Sequence, residues 1–518
     1  MRGAFQNEPE VDFRRPENRE AMQQALKRVQ GELGRRYPLV IGGQRRETGS
    51  WIASINPGRP AQVVGEVAKA RVQDGSDAIA AAVAAYSRWR WMSADGRASV
   101  LFRLAALLRR RRLELDAWMV YELDKQWDEA DGEVAEAVDM MEWYGRQALR
   151  LAGPADLAHI AGEANAYYYQ AIGVGIIIPP WNFPCSILTG MTMAPVAAGN
   201  AVIVKPASNT PVIAYKLFEM MEEAGVPPGV VNYLPGGGGE IGDFLVEHPQ
   251  TRFIAFTGSK SVGVRINERA AKLQPGQRWL KRVTAEMGGK DAIIVDETAD
   301  LDAAAEGIVV SAFGFSGQKC SACSRAIICA PVYDAVLERV VERTRTTVRV
   351  GRGTDGDATV GAVVDQKQFE SILGYIEVGK REGRLVLGGR RAEGMGEGYY
   401  IEPTIFADVP PTSRIGCEEI FGPVLSVMKA RDFEQALEIA NASEYGLTGS
   451  VYSRDRARLE RARHELEVGN LYLNRKCTGA LMGVHPFGGI KLSGTNTKSG
   501  GPDYLLSFLE AKAVGERL

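Results

Sequence analysis

The sequence predicts an α/β protein with two mainly parallel sheets, and three observations support this class. From about residue 165, short apolar runs alternate with helical stretches, a pattern typical of a parallel sheet covered on both faces. A second series of the same kind begins at "DAIIVDE". The chain has 518 residues, 45% hydrophobic and 24% charged, which is enough apolar material for the cores of several domains.

The first part of the chain is predicted to be helical. Residues 1–36 form a polar N-terminal arm with helical spacing in "ENREAMQQALKRVQGEL". The stretches "DAIAAAVAAYSRWRWM" and "GRASVLFRLAALLRRRRLELDAWMVYELDK" place apolar residues on one face and arginines on the other. The arginine run at 109–112 invites a nucleic-acid interpretation. With a net charge of −2, a solvated helix face is the better interpretation.

Composition excludes several classes of function. The near-neutral charge predicts no strong attraction to nucleic acid or to an anionic membrane. The first residues are too polar for the apolar region of a secretory signal, so none is expected, and no apolar run reaches the roughly 18–20 residues of a membrane helix. Six cysteines are too few for a disulfide scaffold. We therefore expect a cytoplasmic, reduced protein that is not a membrane or nucleic-acid binder.

Three strand ends indicate nucleotide binding. "LPGGGGEIG" follows a predicted strand and opens a helix, where backbone amides can approach a pyrophosphate. "FTGS" and "VIVKPAS" place further donors after two other strands. One Gly-rich turn alone is equally consistent with an ordinary connection, but three such ends in consecutive units favour a nucleotide. The residues concerned are Lys205, Ser208, Gly238, Gly242, Gly258 and Ser259.

The stretch "FGFSGQKCSACSR" contains Cys320 and Cys323. A structural zinc site usually needs two close pairs of ligands, and the other cysteines and the four histidines stand alone, so no metal is expected. A redox pair belongs near the start of a small βαβ domain, whereas this pair lies deep in a long chain. Two interpretations of Cys320 remain: a catalytic nucleophile, or a buried and inert cysteine.

Two other residues of the chain favour the interpretation of Cys320 as a nucleophile. Asn182 in "PPWNFP" can donate a hydrogen bond to an oxyanion. Glu286 in "VTAEMGGKD" adjoins a Gly-Gly turn, from which a carboxylate can reach a cleft as a general base. A thiol, an amide donor, a carboxylate and a nicotinamide site together indicate oxidation of an aldehyde to an acid.

From about residue 40 to its end, the chain resembles the aldehyde dehydrogenase superfamily. Seven motifs occur in the family's order: "PWNFP", "VIVKPAS", "FTGS", "EMGGKD", "FSGQKCS", "EEIFGPV" and "HPFGGIKLSG". The resemblance implies a Rossmann-type cofactor domain, an α/β catalytic domain and a small β oligomerisation flap. We expect the cofactor domain at 37–150 and 172–285, the catalytic domain at 286–476, and the flap at 151–171 and 495–518.

The resemblance also implies a role for each site residue. Cys320 attacks the aldehyde, the Asn182 amide and the Cys320 N–H hold the oxyanion, and Glu286 activates the water that hydrolyses the thioester. Cys323, like Cys185 and Cys477, receives no role and is expected in the core. The residues expected to bind the cofactor are Trp181, Lys205, Ser208, Gly238, Gly242, Gly258, Ser259, Glu419 and Phe421.

The expected cofactor is NAD. Many NAD-preferring relatives have a glutamate where this chain has Ser208. Because serine does not repel a 2′-phosphate, NADP is also compatible with the sequence.

Three stretches resemble one subfamily more closely: "FGFSGQKCSACSR", "NRKCTGALMGVHPFGG" and "SGTNTKSGGPDYL". That subfamily oxidises L-glutamate γ-semialdehyde, the open form of 1-pyrroline-5-carboxylate, to L-glutamate in proline catabolism. Phe183 and Phe487 would flank the aliphatic chain, Ser321 adjoins the nucleophile, and the amides of Gly479 and Ala480 would receive the carboxylate. Without the resemblance, an ordinary loop and plain core packing are the alternatives for these residues.

Other functions remain as alternatives. One alternative is a dehydrogenase for another small semialdehyde, which would use the same catalytic residues. A CoA-acylating enzyme is less favoured, because it does not need the hydrolytic base and Glu286 is present. A catalytically silent protein of this fold would have lost the cysteine, the base or the asparagine, and all three are present. The length leaves no room for a fused flavoenzyme. The C-terminal "YLLSFLEAKAVGERL" resembles an edge strand of the flap, and an exposed edge is a liability in a monomer, so we expect at least a homodimer.

Overall fold

The computed structural model describes residues 3–518. The helices are Pro16–Gln30 (α1), Val72–Trp89 (α2), Ala94–Arg110 (α3), Arg112–Leu123 (α4), Trp127–Arg150 (α5), Ser186–Ala197 (α6), Pro211–Glu223 (α7), Asp243–Glu247 (α8), Lys260–Ala271 (α9), Leu301–Phe313 (α10), Tyr333–Thr347 (α11), Gln366–Glu382 (α12), Arg414–Cys417 (α13), Phe433–Asn441 (α14) and Arg456–Glu465 (α15).

The strands in the first half are Arg35–Tyr37 (β1), Leu39–Ile41 (β2), Gln44–Arg46 (β3), Trp51–Asn56 (β4), Arg59–Ala68 (β5), Glu163–Ala171 (β6), Val174–Ile178 (β7), Ala201–Val204 (β8), Val231–Tyr233 (β9), Thr251–Thr257 (β10) and Arg282–Glu286 (β11). Those that follow are Asp291–Val295 (β12), Cys323–Cys329 (β13), Arg384–Leu387 (β14), Thr404–Ala407 (β15), Val424–Ala430 (β16), Tyr445–Gly446 (β17), Thr448–Tyr452 (β18), Asn470–Leu473 (β19), Ile490–Lys491 (β20) and Leu509–Arg517 (β21).

The first large sheet has the order β11-β10-β7-β8-β9-β2-β3. Its first five strands are parallel. Strand β2 pairs antiparallel with β9, and β3 pairs antiparallel with β2. Successive side chains of a strand point to opposite faces, so Ile177 packs into the largest core and Ile176 into the core on the other face. Fully apolar strands were expected for a sheet covered on both faces, and this prediction is confirmed.

The second large sheet has the order β14-β15-β16-β13-β12-β18-β19. All its strands are parallel except the edge strand β14. Again the faces alternate, with Ile294 in one core and Ile293 in the other. The α/β class is therefore confirmed. The domain limits given above stay a prediction.

The helical stretch differs from its prediction at the arginine run. The chain leaves the helical conformation at Arg111, with φ −104° and ψ 20°, so α3 and α4 are separate helices. Arg112 is only 11% exposed and pairs with the buried Asp131, while Arg109 pairs with Glu8 at 2.8 Å. The interpretation as a solvated face is therefore wrong for Arg112, because acidic partners far away in sequence cover it.

Both chain ends pack on the body of the molecule. Before α1 the chain is extended, and Phe13 is buried with its ring 5.4 Å from that of Trp127. Near the other end, β21 pairs antiparallel with β6 from Leu509 opposite Ala171 to Arg517 opposite Glu163. Strand β6 lies within the stretch 151–171 where the flap is expected. None of the helices described here is long and apolar enough to cross a bilayer.

Candidate active site

Cys320 lies in a tight turn between α10 and the amino end of β13. The turn needs left-handed backbone at Phe315 (φ 49°) and Ser316 (φ 58°), and the Ser316 hydroxyl donates to the Gly361 carbonyl at 2.8 Å. The thiol is half-buried. Burial, reinforced by nearby carboxylates of which Asp291 is the strongest, raises the pKa of Cys320 above its usual range. The thiol is therefore neutral near pH 7 and needs a base to become a nucleophile.

Glu286 is the last residue of β11, at the edge of the first sheet. Its Oε2 accepts a hydrogen bond from the Gly489 amide at 3.1 Å. Its Oε1 is buried and has no partner in the described part of the chain. Burial raises the pKa of this carboxyl to about 8, although the Gly489 amide and Lys498 oppose the shift. A carboxyl that titrates near neutral pH with one free oxygen suits a general base.

Asn182 adjoins the nucleophile turn. Its side-chain amide donates to the carbonyl of Gln318, two residues before Cys320, at 2.9 Å, and the residue is buried. A side-chain amide has two N–H groups, so one remains for another acceptor. The sequence placed Asn182 and Cys320 at one site, and the structure brings their loops into contact.

A buried ion pair supports the Asn182 loop. Lys125 pairs with Glu133, and both side chains are fully buried. The Lys125 ammonium also donates to the Asn182 carbonyl at 3.0 Å. Glu133 accepts from the amides of Cys185 at 2.6 Å and Ser186 at 3.1 Å, at the start of α6. The pair thus holds the loop at both ends.

Sequence reasoning missed this pair. The acidic residues Glu129, Glu133 and Glu136 recur at helical spacing in "DKQWDEADGEVAEA", which places them on one face of α5. All three line the substrate-sized cavity described next. This spacing was the available signal, but the acidic residues of this stretch received no interpretation from the sequence.

A cavity of about 420 Å³ opens at the nucleophile. The sequence-predicted residues that line it are Phe183, Glu286, Cys320, Ser321, Gly479, Ala480 and Phe487. Gly479 has φ +74°, a left-handed conformation that glycine adopts without strain. The amides of Gly479 and Ala480 donate to no protein acceptor among the residues described. The loop can therefore present two adjacent N–H groups to an anion.

The predicted cofactor residues of the first sheet follow three of its parallel strands. Lys205 follows β8, the helical turn Gly238–Gly242 follows β9, and Gly258 with Ser259 follows β10. Carboxyl ends of parallel strands are where open α/β sheets bind nucleotides. Lys205 donates to two carbonyls, of Pro206 and Gly236, each at 3.2 Å, and burial lowers its pKa to about 8.

Glu419 and Phe421 line a small pocket with Cys320, and Trp181 contacts Phe421. Glu419 Oε1 accepts from the Gly289 amide at 2.9 Å. A Cβ at Gly288 would lie 2.2 Å from the other carboxyl oxygen, so the Gly-Gly pair is what lets Glu419 approach. The rings of Phe421 and Trp181 meet edge to face at 5.5 Å. Ser208, by contrast, is exposed.

The remaining cysteines of interest are structural. Cys323 and Cys477 are buried in the same core, where their thiols interact, and Cys323 donates to the Arg325 carbonyl at 3.4 Å. Cys477 also donates to the Ser321 carbonyl at 3.4 Å. Cys185 is buried as well. The expected core positions are confirmed. Within the described residues, no group of three or more His, Cys, Asp or Glu side chains is placed to hold a metal.

Comparison with known proteins places this site in a family. The model of the aldehyde dehydrogenase family matches residues 44–514. The chain belongs to the aldehyde dehydrogenase family. It is 56% identical over 512 residues to the 1-pyrroline-5-carboxylate dehydrogenase of Geobacillus kaustophilus, covering 99% of both chains. It is 52% identical over 516 residues to 1-pyrroline-5-carboxylate dehydrogenase 2 of Bacillus subtilis, covering both completely.

A solved structure is equally similar. The 1-pyrroline-5-carboxylate dehydrogenase from Thermus with bound NAD superposes with a TM-score of 0.98 at 54% identity, covering 100% of both chains. In the aldehyde dehydrogenase described here, the features expected of a dinucleotide site are present. The buried ammonium of Lys205 and the glycine turn Gly238–Gly242 follow strands of the first sheet, and Glu419, held by the Gly289 amide, lines a small pocket together with Cys320.

Proposed function

We propose that this aldehyde dehydrogenase oxidises L-glutamate γ-semialdehyde, the open form of 1-pyrroline-5-carboxylate, to L-glutamate in proline catabolism, with NAD as its cofactor. The observation that carries the proposal is the cavity that joins Cys320, Glu286 and the loop Thr478–Ala480. One end offers a nucleophile and a base, and the other offers amides for a carboxylate. The names of relatives at 52–56% identity support this substrate.

The cavity explains how such a substrate would be oriented. The α-carboxylate accepts from the amides of Gly479 and Ala480, and the aliphatic chain lies between Phe183 and Phe487. Ser321, beside the nucleophile, supplies a further polar contact. The aldehyde carbon then reaches Cys320. A neutral aldehyde of the same length lacks the group that the loop binds, so the anchor favours the amino acid.

The reaction follows from the positions of three groups. Cys320 Sγ gives its proton to a solvent water and bonds to the aldehyde carbon, and the resulting oxyanion accepts from the free Asn182 N–H and the Cys320 amide. NAD, when bound, would accept the hydride that leaves this carbon, and loss of the hydride converts the adduct into a thioester of Cys320. Glu286 then takes a proton from water, which attacks the thioester carbon. The bond to Cys320 breaks and glutamate is released.

The proposed cofactor site uses the strand ends of the first sheet. Lys205 and Glu419 would hold the two riboses, and the turn Gly238–Gly242 with Gly258 and Ser259 would receive the pyrophosphate. Trp181 and Phe421 would pack beside the nicotinamide. Since Ser208 carries no charge to repel a 2′-phosphate, we propose NAD with NADP tolerated.

The proposal includes a cytoplasmic homodimer or larger homo-oligomer. The ribbon of β6 and β21 exposes a strand edge, which pairing between subunits would cover. The domain limits proposed from the sequence place this ribbon in the flap.

The test is the rate of NADH formation for wild type and Cys320→Ala, with glutamate γ-semialdehyde and with a neutral aldehyde of similar length. Cys417→Ala is the matched control, because Cys417 is exposed and far along the chain from the nucleophile turn. A strong preference for the amino acid, lost only in Cys320→Ala, supports the proposal. Equal rates would favour another aldehyde as substrate, and no activity would favour a silent protein of this fold.

A further inference from the structure

The N-terminal segment, residues 3–13, lies outside the matched family region yet forms part of the cavity. Glu8 and Glu10 line it together with Cys320 and Glu286. The segment thus reaches a wall of the same space in which the aldehyde would react. The segment therefore does more than cover the surface, because two of its side chains line the cavity.

Asn7 joins the segment to two other walls of the cavity. Its amide donates to Asp139 Oδ2 on α5 at 2.8 Å and to the Met482 carbonyl at 3.0 Å. Both N–H groups of one side chain are therefore used. Met482 ends the loop Thr478–Met482, here called the anchor loop, which contains the two amides proposed to bind the substrate carboxylate.

Several contacts fix the segment on either side of Asn7. The amide of Glu8 donates to the second Asp139 oxygen at 2.7 Å, and Phe5 packs edge to face on Trp143 at 5.1 Å. Further along, the Val11 amide donates to Asp131 at 2.7 Å. The segment is thus bound to α5 along its length, and Asn7 transmits this fixed position to the anchor loop.

We infer that the N-terminal segment is a specificity element of the substrate site, which holds the anchor loop through Asn7 in the conformation that receives an anionic aldehyde. Asn7 is a positioning residue, since it acts through the Met482 carbonyl. The identity of the anion rests on the proposed function. The inference that Asn7 positions the anchor loop rests only on its hydrogen bonds to Asp139 and to the Met482 carbonyl.

The experiment compares Asn7→Ala and Asn7→Asp with wild type in the full-length enzyme. Loss of the hydrogen bonds should raise the KM for glutamate γ-semialdehyde about tenfold in Asn7→Ala, with kcat changed less than twofold. The KM for propanal should stay the same, because propanal has no carboxylate. Asn7→Asp should raise the KM further, since its carboxylate would face Asp139 and a carbonyl. The matched control is Asn18→Ala, which removes a 2.9 Å hydrogen bond to the Asp12 carbonyl away from the anchor loop.

Hydrogen exchange of the loop amides that are hydrogen-bonded, those of Leu481, Gly483 and Val484, tests the hold on the loop without any substrate. Faster exchange in Asn7→Ala, with an unchanged melting temperature, is expected because the loop loses its tether. Unchanged exchange, or an equal rise of KM for both aldehydes, would overturn the inference. Failure of the proposed function would appear differently, as a wild-type enzyme that does not discriminate between the aldehydes while exchange of these amides still responds to Asn7.

Discussion

Lys125 Nζ lies 3.0 Å from the carbonyl oxygen of Asn182, the residue whose amide adjoins the nucleophile turn. The same ammonium lies 4.3 Å from the ring centroids of both Phe183 and Phe315. With Glu133 as its counter-charge, Lys125 forms a fully buried ionic centre beneath the catalytic loop. Buried ion pairs contribute little to stability compared with apolar residues, so its value here is to fix a loop that carries chemistry.

Replacement of Lys125 by methionine should destabilise the protein strongly. The Glu133 carboxylate would lose its counter-charge in the interior, which costs about 3–5 kcal/mol. Denaturant unfolding measures the change. Lys380→Ala is the matched control, because its pair with Glu377 is exposed and should contribute less than about 1 kcal/mol. A Lys125→Met protein as stable as wild type would show that the buried Glu133 carboxyl does not need this counter-charge.

The sequence alone predicted the features that depend on residues close together in the chain. The central parallel strands of both sheets and the residues that follow them were predicted from apolar runs and motifs, because each lies within a few residues of its own signal. The short strands β2, β3 and β14 were not predicted. The contacts of Lys125 with Asn182 and of Asn7 with Met482 were not found. They join positions 57 and 475 residues apart, and the sequence around Lys125 or Asn7 gives no sign of a partner so distant.

Glu286→Gln should separate the two halves of the reaction. Without a base, hydrolysis of the thioester should slow about 10²–10⁴-fold, while the first turnover still forms NADH. A rapid-mixing experiment should therefore show a burst of about one NADH per active site, followed by a slow rate. Slowing of the burst itself to the same extent would instead place Glu286 in the activation of Cys320.

The pH dependence of kcat should follow Glu286 in the wild type. Burial raises its pKa to about 8, and only the carboxylate accepts a proton, so kcat should rise with pH and level off above about 8. Glu286→Gln should lose this rise. A wild-type profile that is flat between pH 6 and 9 would exclude a base with a raised pKa.

Ser208→Glu should convert a tolerant enzyme into one that rejects NADP. Ser208 is exposed after β8, and a carboxylate there would repel a 2′-phosphate, so we expect KM for NADP to rise roughly tenfold or more. The KM for NAD should change little. Ser87→Glu, on the exposed face of α2, adds the same charge elsewhere and serves as the control. An equal effect of both substitutions would mean that net charge, and not position 208, sets the preference.

Cys323 and Cys320 stand three residues apart but should respond in opposite ways to removal of sulfur. Cys323 is buried against Cys477, so Cys323→Ala leaves a small cavity that costs roughly 1 kcal/mol, comparable to the loss of one buried methyl group. Its kcat should remain within about twofold of wild type, whereas Cys320→Ala should have no activity. Because the two buried thiols touch, Cys323→Ala and Cys477→Ala should not be additive in unfolding free energy, while Cys323→Ala and Cys329→Ala should be. Full loss of activity in a stably folded Cys323→Ala protein would show that the second cysteine takes part in the chemistry.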